Sequence, residues 1–260
     1  MLFNFYKKLV NSVTLSIVAR DKVSGDFGVC GYTDIAGYGS LVPHVSIKAA
    51  VATQAYVNVD NGIELLEMIE NNISVKKAGK EIINKDQNKD MRQMIAVGLN
   101  NSSFSWTGKN TLDFKNSISG KNYIVAGNCM DSNKVLEEAA KYFENNLLLD
   151  FPLRLINSIN AGDKAGGHIK RISYLSKKTN KLIYKSTTSV FGKSMSAALV
   201  IASKKPQIWH NLRVDAHMNP IKELKKIYFN TMKSAKKLNT FYNGAIKVKP
   251  FFWRKIFSKD

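Results

Sequence analysis

Short extended runs separated by turn residues set the outline of this chain. Thr14–Arg20 (TLSIVAR) is β-branched and apolar, Asp21–Asp26 (DKVSGD) is rich in turn formers, and Phe27–Tyr32 is extended again. The three together predict a hairpin. A further strand is expected over Ala49–Val57. From Ile63 the apolar residues Leu65, Leu66, Ile69, Ile73 and Ala78 predict one helical stretch that continues towards Ile83. Two strands, Gln93–Leu99 and Ser102–Thr107, meet at the turn pair Asn100-Asn101, and Tyr123–Ala126 is a short strand closed by Gly127-Asn128. Val135, Leu136, Ala139, Ala140, Phe143 and Leu147 share one face of a helix, and Pro152 starts another through Leu155, Ile156 and Ile159. Weak strand signals at Arg171–Leu175 and Lys181–Tyr184 precede a clear strand at Met195–Ala202, and Pro220 opens a lysine-faced helix. Strands, then helices, then strands again predict an α+β domain in which helices cover antiparallel sheets.

Composition narrows the class. With 260 residues and 44% apolar residues the chain can bury a sizeable core, which excludes wholesale disorder and a collagen-like repeat. Cys30 and Cys129 can form one bridge at most, so this is no disulfide scaffold, and the low count fits a reducing compartment. No stretch approaches the ~18–20 apolar residues of a membrane span. Met1–Val13 places Lys7 and Lys8 after its apolar residues and lacks a small-residue cleavage site, so the expected location is cytoplasmic.

The net charge of +19 is confined to one part of the chain. Residues 1–163 hold seventeen basic and seventeen acidic groups, whereas residues 164–260 hold 22 basic groups against Asp215, Glu223 and Asp260. Only six of the basic residues are arginines, the side chain that reads phosphate and guanine bidentately, which argues against a sequence-specific nucleic-acid reader. Contact of the basic part with nucleic acid or anionic lipid is expected to be non-specific and salt-dependent.

Motifs for familiar chemistry are absent. The cysteines and the histidines His44, His168, His210 and His217 have no metal-ligand spacing, and Asp215-x-His217 alone supplies too few ligands. Gly162, Gly166 and Gly167 make neither a dinucleotide fingerprint nor a phosphate loop, and no GxSxG elbow occurs. No metal or cofactor is expected. Thr14, at the first position of the first strand, is the informative hydroxyl. Such a nucleophile needs a base beside it, and its own α-amine, with a pKa near ~8, would serve once residues 1–13 were removed.

Eight ordered blocks resemble the domain of unknown function 1028 family. They are TLSIVARDKVSGDFGVCG (14–31), GSLVP (39–43), AVATQAYVN (50–58), MRQ (91–93), AGN (126–128), LINSINAGDKAGG (155–167), SAALVI (196–201) and LRVDAHMNPIKEL (212–224). That family looks like a branch of the N-terminal nucleophile (Ntn) hydrolases. The resemblance implies a four-layer αββα sandwich over residues 14–228, with 1–13 as an N-terminal extension, 172–193 as an insertion and 229–260 as a basic, aromatic C-terminal extension. It also implies hydrolysis of an unidentified small amide or peptide by a homodimer. Thr14 matches the family threonine, Asn128 the Gly-Asn pair, Thr53 and Gln54 the Ala-Thr-Gln block, and Arg92 and Gln93 the Arg-Gln pair.

Thr14 and Asn128 are thereby expected at the reacting centre, with the Asn128 amide or a nearby backbone N–H on the oxyanion. Thr53, Gln54, Arg92 and Gln93 are expected to bind substrate. Simpler roles compete: a strand-end turn for Asn128, a polar bridge between layers for Thr53 and Gln54, an ion pair for Arg92. Asp215 and His217 match the family's Arg-Val-Asp-Asp-His block, with Ala216 replacing its second Asp, and are expected to be structural. Two departures favour a second class, a catalytically silent binding or scaffold protein. Thirteen residues precede Thr14, and Asp34 stands where the family has a basic residue.

Overall fold

In the computed structural model the described residues are 13–167, 171–175, 182–186 and 195–241, with side chains described in 13–167 and 195–237. The strands are β1 (Thr14–Arg20), β2 (Phe27–Thr33), β3 (Pro43–Val45), β4 (Ala49–Ala55), β5 (Arg92–Gly98), β6 (Ser103–Thr107), β7 (Asn116–Gly120), β8 (Tyr123–Asn128), β9 (Arg171–Leu175), β10 (Leu182–Ser186), β11 (Met195–Ala202) and β12 (Asn211–His217). The helices are α1 (Tyr38–Leu41), α2 (Val59–Glu70), α3 (Val75–Lys85), α4 (Lys134–Asn145), α5 (Phe151–Lys164) and α6 (Pro220–Phe241). Residues 1–12 of the expected N-terminal extension, most of the expected insertion and the aromatic tail beyond 241 lie outside the described residues.

The fold is mixed α+β. A six-stranded antiparallel sheet runs β12-β11-β2-β1-β8-β7, a four-stranded one runs β3-β4-β5-β6, and β9 and β10 form a separate antiparallel pair. In β1, period-2 alternation sends Leu15, Ile17 and Ala19 to one face, where they pack with Val135, Leu136, Phe143, Leu155, Ile159, Leu224 and Tyr228 of α4, α5 and α6. Val18 faces the other way and joins Phe27, Val29 and Ile124 against Ala50, Ala52, Ile95 and Val97 of the four-stranded sheet. The far face of that second sheet, through Val51, Met94 and Ala96, packs on Leu65, Ile69, Ala78 and Ile82 of α2 and α3. Strands covered on both sides need no polar face, which is why TLSIVAR and VATQA read as nearly continuous apolar runs.

The predicted hairpin forms in the register Thr14↔Thr33 through Arg20↔Phe27. A Cβ on Gly31 would lie 2.2 Å from Tyr38 Oη and 2.5 Å from the Leu15 carbonyl oxygen, so only glycine lets α1 sit this close to the sheet. Asn100 and Asn101 take positive φ, as a tight turn requires. The single helix expected from Ile63 is two: Asn72 at φ 64° breaks it, and the Ser74 hydroxyl caps α3 by accepting the Lys77 N–H. LRVDAH lies in the edge strand β12, with Arg213, Asp215 and His217 exposed. Buried Arg154 on α5 donates to Asp21 at 2.9 Å and lies over the Phe143 ring, tying the hairpin turn to the helices.

Candidate active site

Four strands of the six-stranded sheet bring one polar residue each to a single row. Ser196 pairs with Thr33, Thr33 with Thr14, and Thr14 with Asn128. Alternation puts all four on the face that carries Val18, Val29, Ala198 and Ala126 towards the other sheet. All four are buried, Thr14 at 1% exposure and Asn128 at 0%. One end of the apolar layer between the sheets is therefore polar.

Thr14 Oγ1 donates to Thr33 Oγ1 at 3.2 Å, and Thr33 Oγ1 donates to the Val13 carbonyl oxygen at 2.8 Å. That carbonyl also accepts the Asp34 N–H at 3.3 Å. The Val13 N–H in turn donates to Asp34 Oδ1 at 3.0 Å. Val13 is thus held at both its N–H and its carbonyl by β2 and the residue after it, and the peptide bond entering Thr14 is fixed at its carbonyl end. Burial pushes the Asp34 carboxyl up to about 6, against hydrogen bonds from Val13, its own N–H and Thr33 that favour the ionised form. Ser196 Oγ accepts the Tyr38 N–H at 2.9 Å and donates to the Ile35 carbonyl, so it anchors the α1 segment.

From the opposite sheet, Gln93 and Gln54 face this row. Gln93 Nε2 lies 3.0 Å from Thr107 Oγ1, 3.2 Å from the Asn116 carbonyl and 3.0 Å from the Gly127 carbonyl. Gln93 Oε1 accepts Gln54 Nε2 at 2.7 Å and Asn128 Nδ2 at 3.2 Å. Gln54 Nε2 also reaches the Ala126 carbonyl at 3.2 Å. Thr14, Asn128, Gln54 and Gln93 are therefore brought together.

Thr53 and Arg92 are not, because each precedes its partner by one residue on a strand and faces the helix side. Thr53 Oγ1 donates to the Leu41 carbonyl at 3.3 Å and sits 3.5 Å from His44 Nε2. Burial lowers the His44 pKa, in part offset by a hydrogen bond with Leu41. Arg92 Nε donates to Asp86 Oδ2 at 2.8 Å, its Nη1 donates to the Tyr56 and Val57 carbonyls, and it lies 4.5 Å from the Tyr56 ring centroid. Burial pushes the Asp86 carboxyl up, but hydrogen bonds from Arg92, Asn61 and the Asn88 N–H outweigh it and hold the pKa below the usual value. Asp215 pairs with Arg213 at 2.8 Å and His217 Nδ1 accepts the Asn219 N–H at 3.0 Å, both on the exposed edge strand β12.

Thr33 is the site residue that motif reading missed. The hairpin register alone would have found it, since pairing Arg20 with Phe27 forces Thr14 against Thr33. Among the described residues no group of three or more His, Cys, Asp or Glu could hold a metal ion, and no helix is long and apolar enough to cross a membrane.

With this geometry in view, the comparisons with known proteins give the family. The family model described as "Family of unknown function (DUF1028)" matches residues 14–176, more than half of the chain, and the chain belongs to that family. The crystal structure of protein SPO2555 from Silicibacter pomeroyi, also of DUF1028, is similar at 25% identity with a TM-score of 0.70, over 84% of this chain and 86% of that one. No curated protein matches significantly.

Proposed function

We propose that the chain is an amidohydrolase of the N-terminal nucleophile type, its sheets and helices stacked as that class's four-layer αββα sandwich, acting through Thr14 after residues 1–13 are removed. The observation that carries this reading is the bond entering Thr14. Its carbonyl oxygen accepts both the Thr33 hydroxyl and the Asp34 N–H, and the Thr14 hydroxyl lies 3.2 Å from Thr33 Oγ1. Two donors on a carbonyl stabilise the charge that develops when it is attacked. Attack by Thr14 Oγ1 on the Val13 carbonyl carbon forms an ester and breaks the C–N bond, with the hydroxyl proton passing to the Thr14 nitrogen. Water then hydrolyses the ester, leaving a Val13 carboxylate and a Thr14 with free hydroxyl and free α-amine.

In the mature form the α-amine takes the hydroxyl proton as Oγ1 attacks a small amide or peptide. It returns that proton to the leaving nitrogen, and water releases the acyl group. The reading includes a cytoplasmic homodimer without a resident cofactor. A catalytically silent binding or scaffold protein is the second reading, favoured by Asp34, whose carboxylate ties down the Val13 N–H. Intact mass of the protein from its native source decides between them. Loss of Met1–Val13, with Thr14→Ala remaining full length, is expected for the hydrolase; a full-length native protein leaves the silent reading.

A further inference from the structure

The amide of Asn128 has its polarity fixed by Gln93. Gln93 Nε2 faces two backbone carbonyls, of Asn116 and Gly127, and carbonyls only accept, so this end of the Gln93 amide is the nitrogen. Its oxygen must therefore take hydrogens from Gln54 and Asn128, which makes the Asn128 atom nearest Gln93 its nitrogen. What Asn128 has left is its second N–H and its oxygen, an acceptor. That Oδ1 is fully buried and has no hydrogen-bond partner among the described residues. A buried acceptor left unmade costs ~1–3 kcal/mol, so its persistence calls for a donor from elsewhere.

The backbone ladder indicates which donor. In an antiparallel pair, hydrogen-bonded and non-hydrogen-bonded residue pairs alternate. The Asp34 N–H donates to the Val13 carbonyl, so Val13 and Asp34 form a hydrogen-bonded pair and Thr14 and Thr33 the next, non-hydrogen-bonded one. The Thr14 N–H consequently points away from β2 and towards β8, where its register partner is Asn128. An intact peptide nitrogen has one hydrogen, which the ladder directs at the Asn128 backbone carbonyl; a freed amine has two, or three when protonated, and so has another for the side chain.

We propose that Asn128 Oδ1 is the acceptor for the Thr14 α-amine released by processing, and that Gln93 is the positioning residue that holds Asn128 with its oxygen outward. The inference rests on the processed-nucleophile reading. It gives Asn128 the task of orienting the general base, with one of its two amide hydrogens committed to Gln93.

The test is a titration of the mature protein with ¹⁵N-threonine, following the Thr14 α-nitrogen against pH. Asn128→Asp sets a carboxylate beside the amine and is expected to raise its pKa by ~1 or more, while Asn128→Leu removes the acceptor of the charged form and is expected to lower it. Gln93→Leu, which frees the Asn128 amide to rotate, is expected to lower it in the same direction and by less. A crystal structure of the mature wild type is expected to have Oδ1 within ~3.2 Å of the Thr14 nitrogen, and it decides the matter where a variant does not fold. An unmoved pKa in folded, processed variants, or a water in place of the amine on Oδ1, overturns the inference and leaves the processed nucleophile standing. A full-length mass overturns both.

Discussion

Strand β5 carries two neighbouring polar side chains that end in opposite kinds of surroundings. Arg92 points to the helices and belongs to a charged cluster in which Asp86 and the Tyr56 and Val57 carbonyls meet its donors, while Asn61 donates to Asp86. Gln93 points between the sheets and belongs to a neutral cluster in which Asn128 Oδ1 and Gln54 Oε1 are buried with no donor among the described residues. A closed ion pair consumes its own hydrogen-bonding capacity and so serves to hold α2 and the α3–β5 connection against the sheet. Unspent acceptors beside a strand-end hydroxyl leave capacity for a reacting group. The first is how this fold keeps its shape; the second is where it has room for chemistry.

Breaking the closed cluster is expected to have the largest effect on stability. Arg92→Ala leaves the Asp86 carboxylate buried without its partner, and a loss of about 3–5 kcal/mol in chemical denaturation is expected. The double variant Arg92→Met, Asp86→Leu should recover much of that, because no orphan charge remains. Processing at Val13-Thr14 is expected to persist wherever the protein folds. If Arg92→Ala instead blocks processing at unchanged stability, Arg92 belongs with the site and the contrast between the two clusters fails.

Gln93→Leu is the matching cut in the neutral cluster. It removes the acceptor shared by Asn128 and Gln54 and the donor to the Gly127 carbonyl, but no charge is stranded. A loss of about 2 kcal/mol is expected by the same measurement, less than for Arg92→Ala. A loss as large as that of Arg92→Ala would mean that Gln93 also carries the register between the two sheets.

That the two clusters sit back to back also explains what the sequence could and could not say. The pairs Thr53-Gln54 and Arg92-Gln93 look like units along the chain. A strand sends successive side chains to opposite faces, so each pair is split between the site and the helix-side core. Strand identity and helix faces were legible because β1 and β4 are nearly continuous apolar runs and α4 and α5 have strong apolar periodicity. β7, NSISG, was not, since its polar residues lie on an exposed edge, whereas β12, NLRVDAH, does alternate polar and apolar residues. Thr33 follows from the local hairpin register. The Thr14↔Asn128 pairing joins segments more than a hundred residues apart, and no local pattern encodes it; only the family blocks pointed to both residues.

The smallest expected effect concerns the residue that ties the leading segment to the neutral cluster. Asp34 is pushed up to about 6, chiefly by burial, from an ordinary value of 3.8. Because the folded-state pKa is the higher one, the stability linked to this group is fully present below about pH 3.8 and is lost as pH rises through about 6. Asp34→Asn cannot ionise, so its stability should stay flat across that window where the wild type declines. At neutral pH the variant should be more stable by about 1 kcal/mol, a figure reduced for the partial exposure of the group. Thermal melts of both proteins from pH 4 to 7.5 make the comparison. Parallel curves would mean that ionised Asp34 is no cost to the fold. The carboxylate would then be as well accommodated beside Val13 as Asp86 is beside Arg92, and the difference between an open and a closed polar cluster would have to be sought in Gln54 and Asn128 alone.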